Sequence, residues 1–589
     1  MALWFGAVTG LLELALVLLH KRIFNTLTLE MLRRNRHFVW MIPASNLLIF
    51  ACLGLLIALA ARLWPRQTSR FAFYPLGFGA SLALLYLIPR LYPFTYILLA
   101  SGVTCWAARR FEPRVAGFRR VVRLSLPILL IAVAALIGLN FLHVASAERR
   151  ALAGLPTAPP GSPNVLMIVL DTVRADHLGA YGYPRDTSPN LTRLAARGVR
   201  FEQARSTAPW TLPSHATMFT GRWPHELSAR TGHPLDATYP TLAEVLSRRG
   251  YAAASFVANT HNCNAWYGLD RGFARYEDFY RNTDVSTIEI FFNSSLGRRL
   301  VMSGAGGRIL RSLRGASPYT ARKDASMINR DALGWLSGHE GRPFFVFLNY
   351  YDAHGPYVPP AGTPPRFTRA NGQGDSHGRF VDGYDNCIAY LDDQLGRLFG
   401  ELEGRGLLAN TLVVITSDHG ENFDEHRLYG HGKSLYRPEL HVPLLVLMPE
   451  RVPPSRVVRE PVSLRDLPAT VTSLLGPTRV SPFPGSSWAR YWEVSGVGAP
   501  AKAEPILAEV DRKEELRLDR PPPPAARGRM TEVIAEGNVY IRNGDGREEL
   551  YDLERDPREA NDLAGAAASA PLLERLRATL KDLLAAEEP

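Results

Sequence analysis

Long apolar runs fill the first 145 residues and limit the possible folds more than any other feature of the sequence. They cover roughly residues 2–19, 39–61, 72–88, 92–108 and 124–145. A helix needs about 20 apolar residues to cross the ~30 Å hydrocarbon core of a bilayer. We therefore predict an N-terminal transmembrane domain over 1–146 with about five helices. Four helices are the alternative, because the third and fourth runs are short.

The charge of the chain is concentrated in the same region. The net charge is +11, and residues 1–150 hold 17 of the 67 Lys and Arg residues but only four of the 56 acidic residues. The rest of the chain is therefore close to neutral. Basic loops beside apolar runs are typical of a membrane protein and argue against nucleic acid as a partner.

An arginine cluster predicts the orientation of the protein. Six arginines lie at 109–123, directly before the last apolar run. Because basic loops stay in the cytoplasm, the chain would leave through 124–145. We predict a multi-pass protein of the plasma (inner) membrane with its large domain on the exocytoplasmic side. The lipid bilayer is then its first partner, although the basic residues at 21–36 fit four spans better than five.

The remainder of the sequence has the rhythm of an α/β protein. A linker at 147–163 is followed by apolar strand-like runs that alternate with helix-like segments. We predict strands at 165–170, 252–257, 344–350, 412–416 and 444–448, and helices at 191–198, 242–249 and 325–336. Nearly continuous apolar strands indicate a mostly parallel sheet flanked by helices. We expect this domain over 164–500, an insertion near 280–325, and a small C-terminal α+β subdomain over 501–589.

Polar residues follow three of the predicted strands. Asp171, Asp352 and the pair Asp418-His419 each come just after an apolar run. Ligands of open α/β sheets bind at the carboxyl ends of strands, so these side chains can meet there. Carboxylate and imidazole groups together suit a divalent cation.

These residues stand in motifs that resemble the sulfatase family of the alkaline phosphatase superfamily. In chain order the motifs are Val165-Leu166-Met167-Ile168-Val169-Leu170-Asp171, Thr211-Leu212-Pro213-Ser214-His215, Ser417-Asp418-His419-Gly420-Glu421 and Glu549-Leu550-Tyr551-Asp552-Leu553. The resemblance covers about 164–565. It implies an alkaline-phosphatase-like sheet flanked by helices, and an ester hydrolase or transferase.

The resemblance also implies a metal site. Its ligands would be Asp171, Asp418 and His419, with the Thr211 oxygen facing one divalent cation. Sulfatases usually have a second aspartate where this chain has Thr172, which weakens the case for calcium. Manganese or zinc fits the same ligands.

The resemblance assigns the catalytic roles as well. Thr211 would be the nucleophile, at the start of a helix. Lys433 would neutralise an oxygen of the substrate, and His354 or His431 would protonate the leaving group. His215 replaces the family's arginine, and either binds the anionic ester or packs. In the alternative, Asp352, His354 and His431 bind a second cation, which a nearby Lys433 would repel. Asn259 and Asp176 are expected to be structural.

The threonine itself decides which ester is favoured. Family members carry Cys or Ser at this position, which is oxidised to formylglycine, and threonine cannot be converted in this way. Because Thr211 has only one hydroxyl, its adduct must be released by a second attack at the central atom, which phosphorus tolerates well. We therefore expect a phosphodiester or phosphotransfer substrate, such as a lipid head group or an envelope glycan. Sulfate-ester hydrolysis is one alternative, and an inactive scaffold that binds anionic glycans or lipids is another.

Overall fold

The computed structural model describes the whole chain apart from residues 25–36, 64–71, 89–90, 279–289, 292, 303–322, 340, 369–375, 477–480, 494–503, 513–521 and 586–589. The chain forms two compact units. The first, here the helical unit, comprises Met1–Ala151 and Asp278–Arg322. The second, the sheet unit, comprises Leu152–Glu277 and Lys323–Pro589. The insertion predicted near 280–325 thus belongs to the helical unit, and we call 278–322 the excursion.

The helices of the described part alternate with its strands beyond residue 160. In chain order the helices are α1 Ala2–Phe24, α2 Phe38–Leu63, α3 Phe73–Leu85, α4 Pro93–Phe111, α5 Val115–Ala153, α6 Pro189–Ala195, α7 Thr211–Thr220, α8 Leu242–Arg248, α9 Ser295–Met302, α10 Ala325–Leu336, α11 Ser376–Gly404, α12 Arg437–Leu440, α13 Leu467–Leu474 and α14 Ala570–Ala585. The strands are β1 Asn164–Leu170, β2 Val199–Arg205, β3 Ala252–Val257, β4 Arg275–Glu277, β5 Phe344–Tyr350, β6 Thr411–Thr416, β7 Asn422–Phe423, β8 Tyr429–Gly430, β9 Leu444–Leu447, β10 Arg456–Ser463, β11 Ile506–Val510, β12 Met530–Ala535, β13 Asn538–Arg542 and β14 Glu548–Asp552.

The helical unit contains one helix for each of the five apolar runs. Within the described residues, three segments are long and apolar enough to cross a membrane, namely Ala2–His20, Phe38–Leu63 and Val115–Ala153. The helix Phe73–Leu85 is apolar but shorter. Helix α5 continues to Ala153, so the first seven residues of the predicted linker are helical.

Close packing in the helical unit depends on glycine. A Cβ atom added at Gly10 of α1 would lie 2.5 Å from the Cα atom of Pro43 on α2. Small residues let helix backbones approach each other, which is the usual way that helices associate inside a bilayer. Glycine is therefore required where α1 and α2 meet.

The sheet unit is built around an eight-stranded sheet in the order β10-β2-β9-β6-β1-β5-β3-β4. The central strand β1 pairs in parallel with both β5 and β6. Within the described part of this sheet, β9 is the one strand that runs antiparallel to its neighbours, β2 and β6. The central strands are almost entirely buried, which explains their nearly continuous apolar sequences. The predicted strands and the mostly parallel sheet are confirmed.

The C-terminal part of the sheet unit forms a second, antiparallel sheet in the order β11-β12-β13-β14. Helix α14 buries Leu573, Leu576 and Leu580 in a cluster with Leu507 and Tyr540 of that sheet. This arrangement is the α+β subdomain that the sequence predicts.

Candidate active site

Four neighbouring strands deliver polar residues to one edge of the large sheet. Asp171 directly follows β1, Asn259 follows β3, Asp352 follows β5 and Asp418 follows β6. Because β3, β5, β1 and β6 are adjacent in the sheet, their carboxyl ends lie side by side. The order of the strands therefore explains why these four residues lie at the same edge of the sheet.

Asp171, Asp418 and His419 form a compact group of candidate metal ligands. Each offers one ligand atom, and these atoms all lie within 4.8 Å of one another. The His419 Nδ1 donates a hydrogen bond to the Gly420 carbonyl oxygen at 2.9 Å, which leaves the lone pair on Nε2 to face the group. Among the described residues, the buried Asp171 Oδ1 and Asp418 Oδ2 have no hydrogen-bond partner.

A positive charge would stabilise the two buried carboxylates of this group, Asp171 and Asp418. Burial raises the pKa of Asp171 well above its usual range, and the neighbouring Asp418 raises it further. Burial also raises the pKa of Asp418 to about 7, against hydrogen bonds that include one from the Thr211 side chain. Two buried carboxylates next to each other are costly unless a cation pairs with them. The donor set therefore fits a divalent cation such as zinc, manganese or calcium.

Thr211 begins helix α7 beside these ligands. The Asn259 Nδ2 donates to the Asp171 Oδ2 at 2.7 Å and to the Thr211 Oγ1 at 3.2 Å. The Asn259 backbone N–H in turn donates to the Asn349 Oδ1 at 2.9 Å. Asn259 thus joins a candidate ligand to the candidate nucleophile, a closer role than the structural one expected from sequence. Its position just beyond a buried strand was the signal that could have found it.

Thr172 occupies the position of the family's second aspartate. Its φ angle of 63° is rare for a β-branched residue and indicates local strain. This turn directs the Thr172 N–H towards the Asp418 Oδ1 at 3.3 Å, while its hydroxyl donates to the Asp171 carbonyl oxygen at 2.7 Å. Thr172 therefore supports the group through its backbone.

His215 lies beneath the site and is fully buried. Its Nδ1 donates to the Thr211 carbonyl oxygen at 2.8 Å and is 3.6 Å from the Asp418 Oδ2. The ring stands edge-on to Phe219 and Phe347. Burial lowers the pKa of His215 to about 4, so the ring is neutral at pH 7. Of the two roles left open by the sequence, these contacts favour packing beneath Thr211.

Three histidines form a row that extends away from the candidate ligands. The ring centroids of His419 and His431 are 4.5 Å apart, and those of His431 and His354 are 5.0 Å apart. The buried Glu421 accepts a hydrogen bond from the His431 Nδ1 at 2.9 Å. A carboxylate in this position orients the ring and stabilises its protonated form. Glu421 stands within a motif that the sequence singled out, but was not predicted as a site residue.

His354 has a different environment from His431. Its Nδ1 donates to the Gly355 carbonyl oxygen at 3.0 Å, and its Nε2 accepts from the Tyr351 hydroxyl at 3.2 Å. Burial, reinforced by the neighbouring His431, lowers the pKa of His354 to about 3. A neutral ring is a poor proton donor, so His431 suits the role of general acid better.

Lys433 lies in the same neighbourhood, two residues after His431. Burial raises the pKa of Glu421, and the positive charge of Lys433 is among the effects that oppose this rise. A Cβ atom added at Gly430 would lie 3.7 Å from the Glu421 Oε1 and 3.9 Å from the Lys433 Nζ, so the amino group lies near Glu421, where it can also neutralise an anionic substrate.

The second cation considered above finds no support among the described residues. There, one group of His, Cys, Asp and Glu side chains has the geometry of a metal site, and it is Asp171, Asp418 and His419. Asp352 instead accepts a hydrogen bond from the Ala325 N–H at 3.1 Å, at the first turn of α10.

Known proteins share both the sequence pattern and the fold. The family model described as Sulfatase matches residues 163–477. Arylsulfatase A of Bos taurus is 29% identical over 55% of this chain, and steryl-sulfatase of Mus musculus is 26% identical over 54%. The matches span 66% and 63% of those two relatives, respectively.

A solved structure has the same fold. The phosphonate monoester hydrolase of Agrobacterium radiobacter superimposes with a TM-score of 0.55 at 21% identity, over 72% of this chain and 95% of that one. The alkaline-phosphatase-like architecture expected from the motifs is therefore confirmed. With its family model covering more than half of the residues and the candidate ligands meeting at one edge of the sheet, this chain belongs to the sulfatase family.

Proposed function

We propose that the protein is a membrane-anchored, metal-dependent ester hydrolase or transferase that uses Thr211 as its nucleophile and prefers phosphorus esters. The observation that carries the proposal is the placement of the Thr211 hydroxyl. It lies at the start of α7, is held by Asn259 at 3.2 Å, and shares that amide with the candidate ligand Asp171. A divalent cation held by Asp171, Asp418 and His419 would lower the pKa of a hydroxyl that faces it.

The side chains of the site support a double displacement. In the first half, the Thr211 oxygen attacks phosphorus, an O–P bond forms and the bond to the leaving alcohol breaks. His431 gives its proton to that alcohol, and the Thr211 proton passes to solvent. In the second half, water attacks phosphorus and gives a proton to His431, while Thr211 leaves and regains its own. An alcohol in place of water would make the same site a transferase.

Phosphorus is favoured over sulfur because of the single hydroxyl of Thr211. A formylglycine hydrate has a second hydroxyl through which its sulfate ester can collapse, and a threonine ester does not. Sulfate-ester hydrolysis, to which the names of the mammalian relatives point, is the second candidate. An inactive binding scaffold is a weaker alternative, because Thr211, Asn259 and all three candidate ligands are brought together.

A paired substrate assay tests this proposal. The purified full-length protein would be stripped of metal, reloaded with zinc, manganese or calcium in turn, and given matched aryl sulfate, phosphate monoester and phosphodiester substrates. We expect the phosphodiester to be cleaved fastest. A preference for the sulfate that disappears in Thr211→Ala would favour the sulfatase alternative, and no turnover with any pair would favour the scaffold.

A matched variant controls for damage to the helix. Thr220 is also buried on α7, where its hydroxyl donates to the Ala216 carbonyl oxygen at 2.7 Å. Thr211→Ala should abolish turnover without loss of bound metal, and Thr220→Ala should leave turnover within about threefold of the wild type. Equal activity of the two variants would contradict the role of Thr211.

The proposed location is the exocytoplasmic face of the plasma (inner) membrane. Three apolar helices of sufficient length and the arginines at 109–123 support it. A site near that surface would meet anionic esters such as lipid head groups or envelope glycans. A reporter enzyme that is active only outside the cytoplasm, fused to the C-terminus, should be active. Activity of a cytoplasm-only reporter at the same place would refute the orientation and the substrate class together.

A further inference from the structure

A buried carboxylate lies in the middle of the first apolar helix. Glu13 is the single acidic residue of α1, within the span Ala2–His20, and is fully buried. Ionisable residues inside membrane helices are rare and usually face a specific partner in the interior of the bundle. The partners of Glu13 therefore indicate what this helix is built to hold.

The partners of Glu13 come from α2 and from the excursion. The Asn46 Nδ2 of α2 donates to the Glu13 Oε2 at 2.9 Å. The backbone N–H of Ser295, the first residue of α9, donates to the Glu13 Oε1 at 2.7 Å. Glu13 thus satisfies one of the N–H groups that every helix leaves open at its start, and its negative charge faces the positive end of α9.

Further hydrogen bonds hold the same end of the excursion against α2 and α3. The hydroxyls of Ser45 and Ser294 are 2.6 Å apart, and the Ser295 hydroxyl donates to the Ala83 carbonyl oxygen at 2.6 Å. Ser45 and Ser294 are fully buried, and Ser295 is nearly so. Serine hydroxyls paired in this way are a common means of joining segments inside a bundle.

Glycine makes this approach possible. A Cβ atom added at Gly297 would lie 2.4 Å from the Phe291 carbonyl oxygen and 2.9 Å from the Ser45 Oγ. Since real Cβ atoms do not come so close to other atoms, even alanine would force the start of α9 to shift relative to Phe291 and Ser45. The close contacts of Gly297 and the hydrogen bonds therefore both indicate that residues 293–298 dock against α1, α2 and α3. We call this docking surface the cradle.

The base of the excursion is also fixed. The chain leaves the sheet unit after Glu277 and returns to it at Lys323. These two side chains are fully buried and form an ion pair, with the Lys323 Nζ 3.0 Å from the Glu277 Oε1. The excursion is therefore closed at its base within the sheet unit, while its described helix is bound within the helical unit.

We propose that helices α1, α2 and α3 form a receptor for the excursion, with Glu13 as the receptor group that binds the start of α9. The membrane helices would then retain the sheet unit through this non-covalent attachment, independently of the linker at 154–163. The partner of the surface is a segment of the same chain, and the proposal does not depend on the chemistry of the active site.

Cleavage of the linker tests this attachment in the full-length protein. A protease site would be inserted after Gly161, which is exposed, and the protein would be cut in isolated membranes. We expect the fragment that begins near 162 to stay in the membrane fraction after a high-salt wash. Its release from the otherwise wild-type protein would overturn the proposal.

Variants then test the receptor group. Glu13→Ala and, independently, Gly297→Ala should increase release of the cut fragment at least fivefold, whereas Leu12→Ala at an exposed neighbouring position should not. Gly297→Ala changes no membrane helix, so it keeps the test valid if Glu13→Ala fails to insert. Retention of the fragment in both variants would refute the role of Glu13 and of the cradle.

A cysteine pair gives direct evidence of the contact. Ser45→Cys with Ser294→Cys, in a chain whose Cys52 and Cys105 are replaced by alanine, should form a disulfide under mild oxidation that peptide mass spectrometry detects. Leu56→Cys with Ser294→Cys is the control, because residue 56 lies about 16 Å farther along α2. A disulfide in the control pair only, or in neither pair, would contradict the docked position.

Discussion

Asn259→Ala is the substitution whose effect follows most directly from the geometry of the site. The amide donates to the Asp171 Oδ2 at 2.7 Å and to the Thr211 Oγ1 at 3.2 Å, and the side chain is 1% exposed. Alanine removes both donors and leaves a buried carboxylate less well satisfied. The change should therefore affect both the metal group and the nucleophile.

The size of the effect can be worked out from the two bonds. A buried hydrogen bond to a charged group contributes about 1.5–3 kcal/mol, and one to a neutral hydroxyl about 0.5–1.5 kcal/mol. Together they amount to roughly 2–4.5 kcal/mol, and about 1.4 kcal/mol corresponds to a factor of ten in rate. If most of this acts in the transition state, kcat/KM should fall by about 30- to 1000-fold.

The assay is kcat/KM with the substrate that the paired screen identifies, together with the metal content of each preparation. Asn264→Ala is the matched control, because Asn264 is a buried asparagine of the same loop whose side chain accepts from the Trp266 N–H at 3.0 Å. The control should lose stability but keep the kcat/KM of its folded fraction. If Asn259→Ala stays within threefold of the wild type with full metal content, the reasoning about this site is wrong.

Three further predictions concern buried charged groups of the sheet unit. In the metal-free protein, the raised pKa of Asp418, about 7, means that the folded state binds a proton more readily than the unfolded one, so the Tm of the wild type should rise relative to that of Asp418→Asn as the pH falls from 8 to 6.5. The comparison with Asp418→Asn removes the opposing effect of the buried His215 and His354, whose lowered pKa values keep them neutral in the folded state while the unfolded chain binds protons over the same range. The difference between the two proteins should shrink on adding metal. Glu421→Gln should lower the rate more for alkyl than for aryl leaving groups, because alkyl alcohols depend more on proton donation by a general acid. In this variant His431 loses the carboxylate at 2.9 Å that stabilises its protonated form. An equal loss of rate for both classes would refute His431 as the general acid. Lys323→Met should lower the free energy of unfolding by about 3–5 kcal/mol, since it leaves Glu277 with less compensation, and the double variant with Glu277→Met should recover much of this loss in denaturant titrations; additive losses would show that the pair is not coupled.

The sheet could be predicted because its strands carry their own signal. The strand at Ala252–Val257 lies where the sequence predicts it, and those at Asn164–Leu170 and Thr411–Thr416 each begin one residue earlier. Strands buried on both faces must be apolar throughout, so each one can be recognised from its own short stretch of sequence. The direction of Leu444–Leu447 was not visible in the same way, because an apolar run has the same composition whether it pairs in parallel or antiparallel.

The candidate site could be predicted only in part, for a related reason. Asp171, Asp418 and His419 follow strands and stand in motifs, and the structure brings them together. The role of Asn259 depends on which side chain turns towards Thr211, which is a matter of tertiary packing. The predicted insertion gave no sign of its contact with Glu13, because the two lie 282 residues apart and each is unremarkable in its own stretch of sequence.

The central claim is that Thr211 attacks the substrate, and trapping its covalent adduct tests this most directly. The metal-loaded protein would be mixed with the best phosphorus ester, quenched in acid within milliseconds and digested with trypsin, which releases residues 206–222 as one peptide. Fragmentation by mass spectrometry separates Thr211 from the other hydroxyl residues of that peptide. We predict a phosphoryl adduct on Thr211 that is absent from Thr211→Ala and is unchanged in Thr220→Ala. Turnover by the Thr211→Ala variant, or an adduct on a different residue during turnover, would contradict the proposed mechanism.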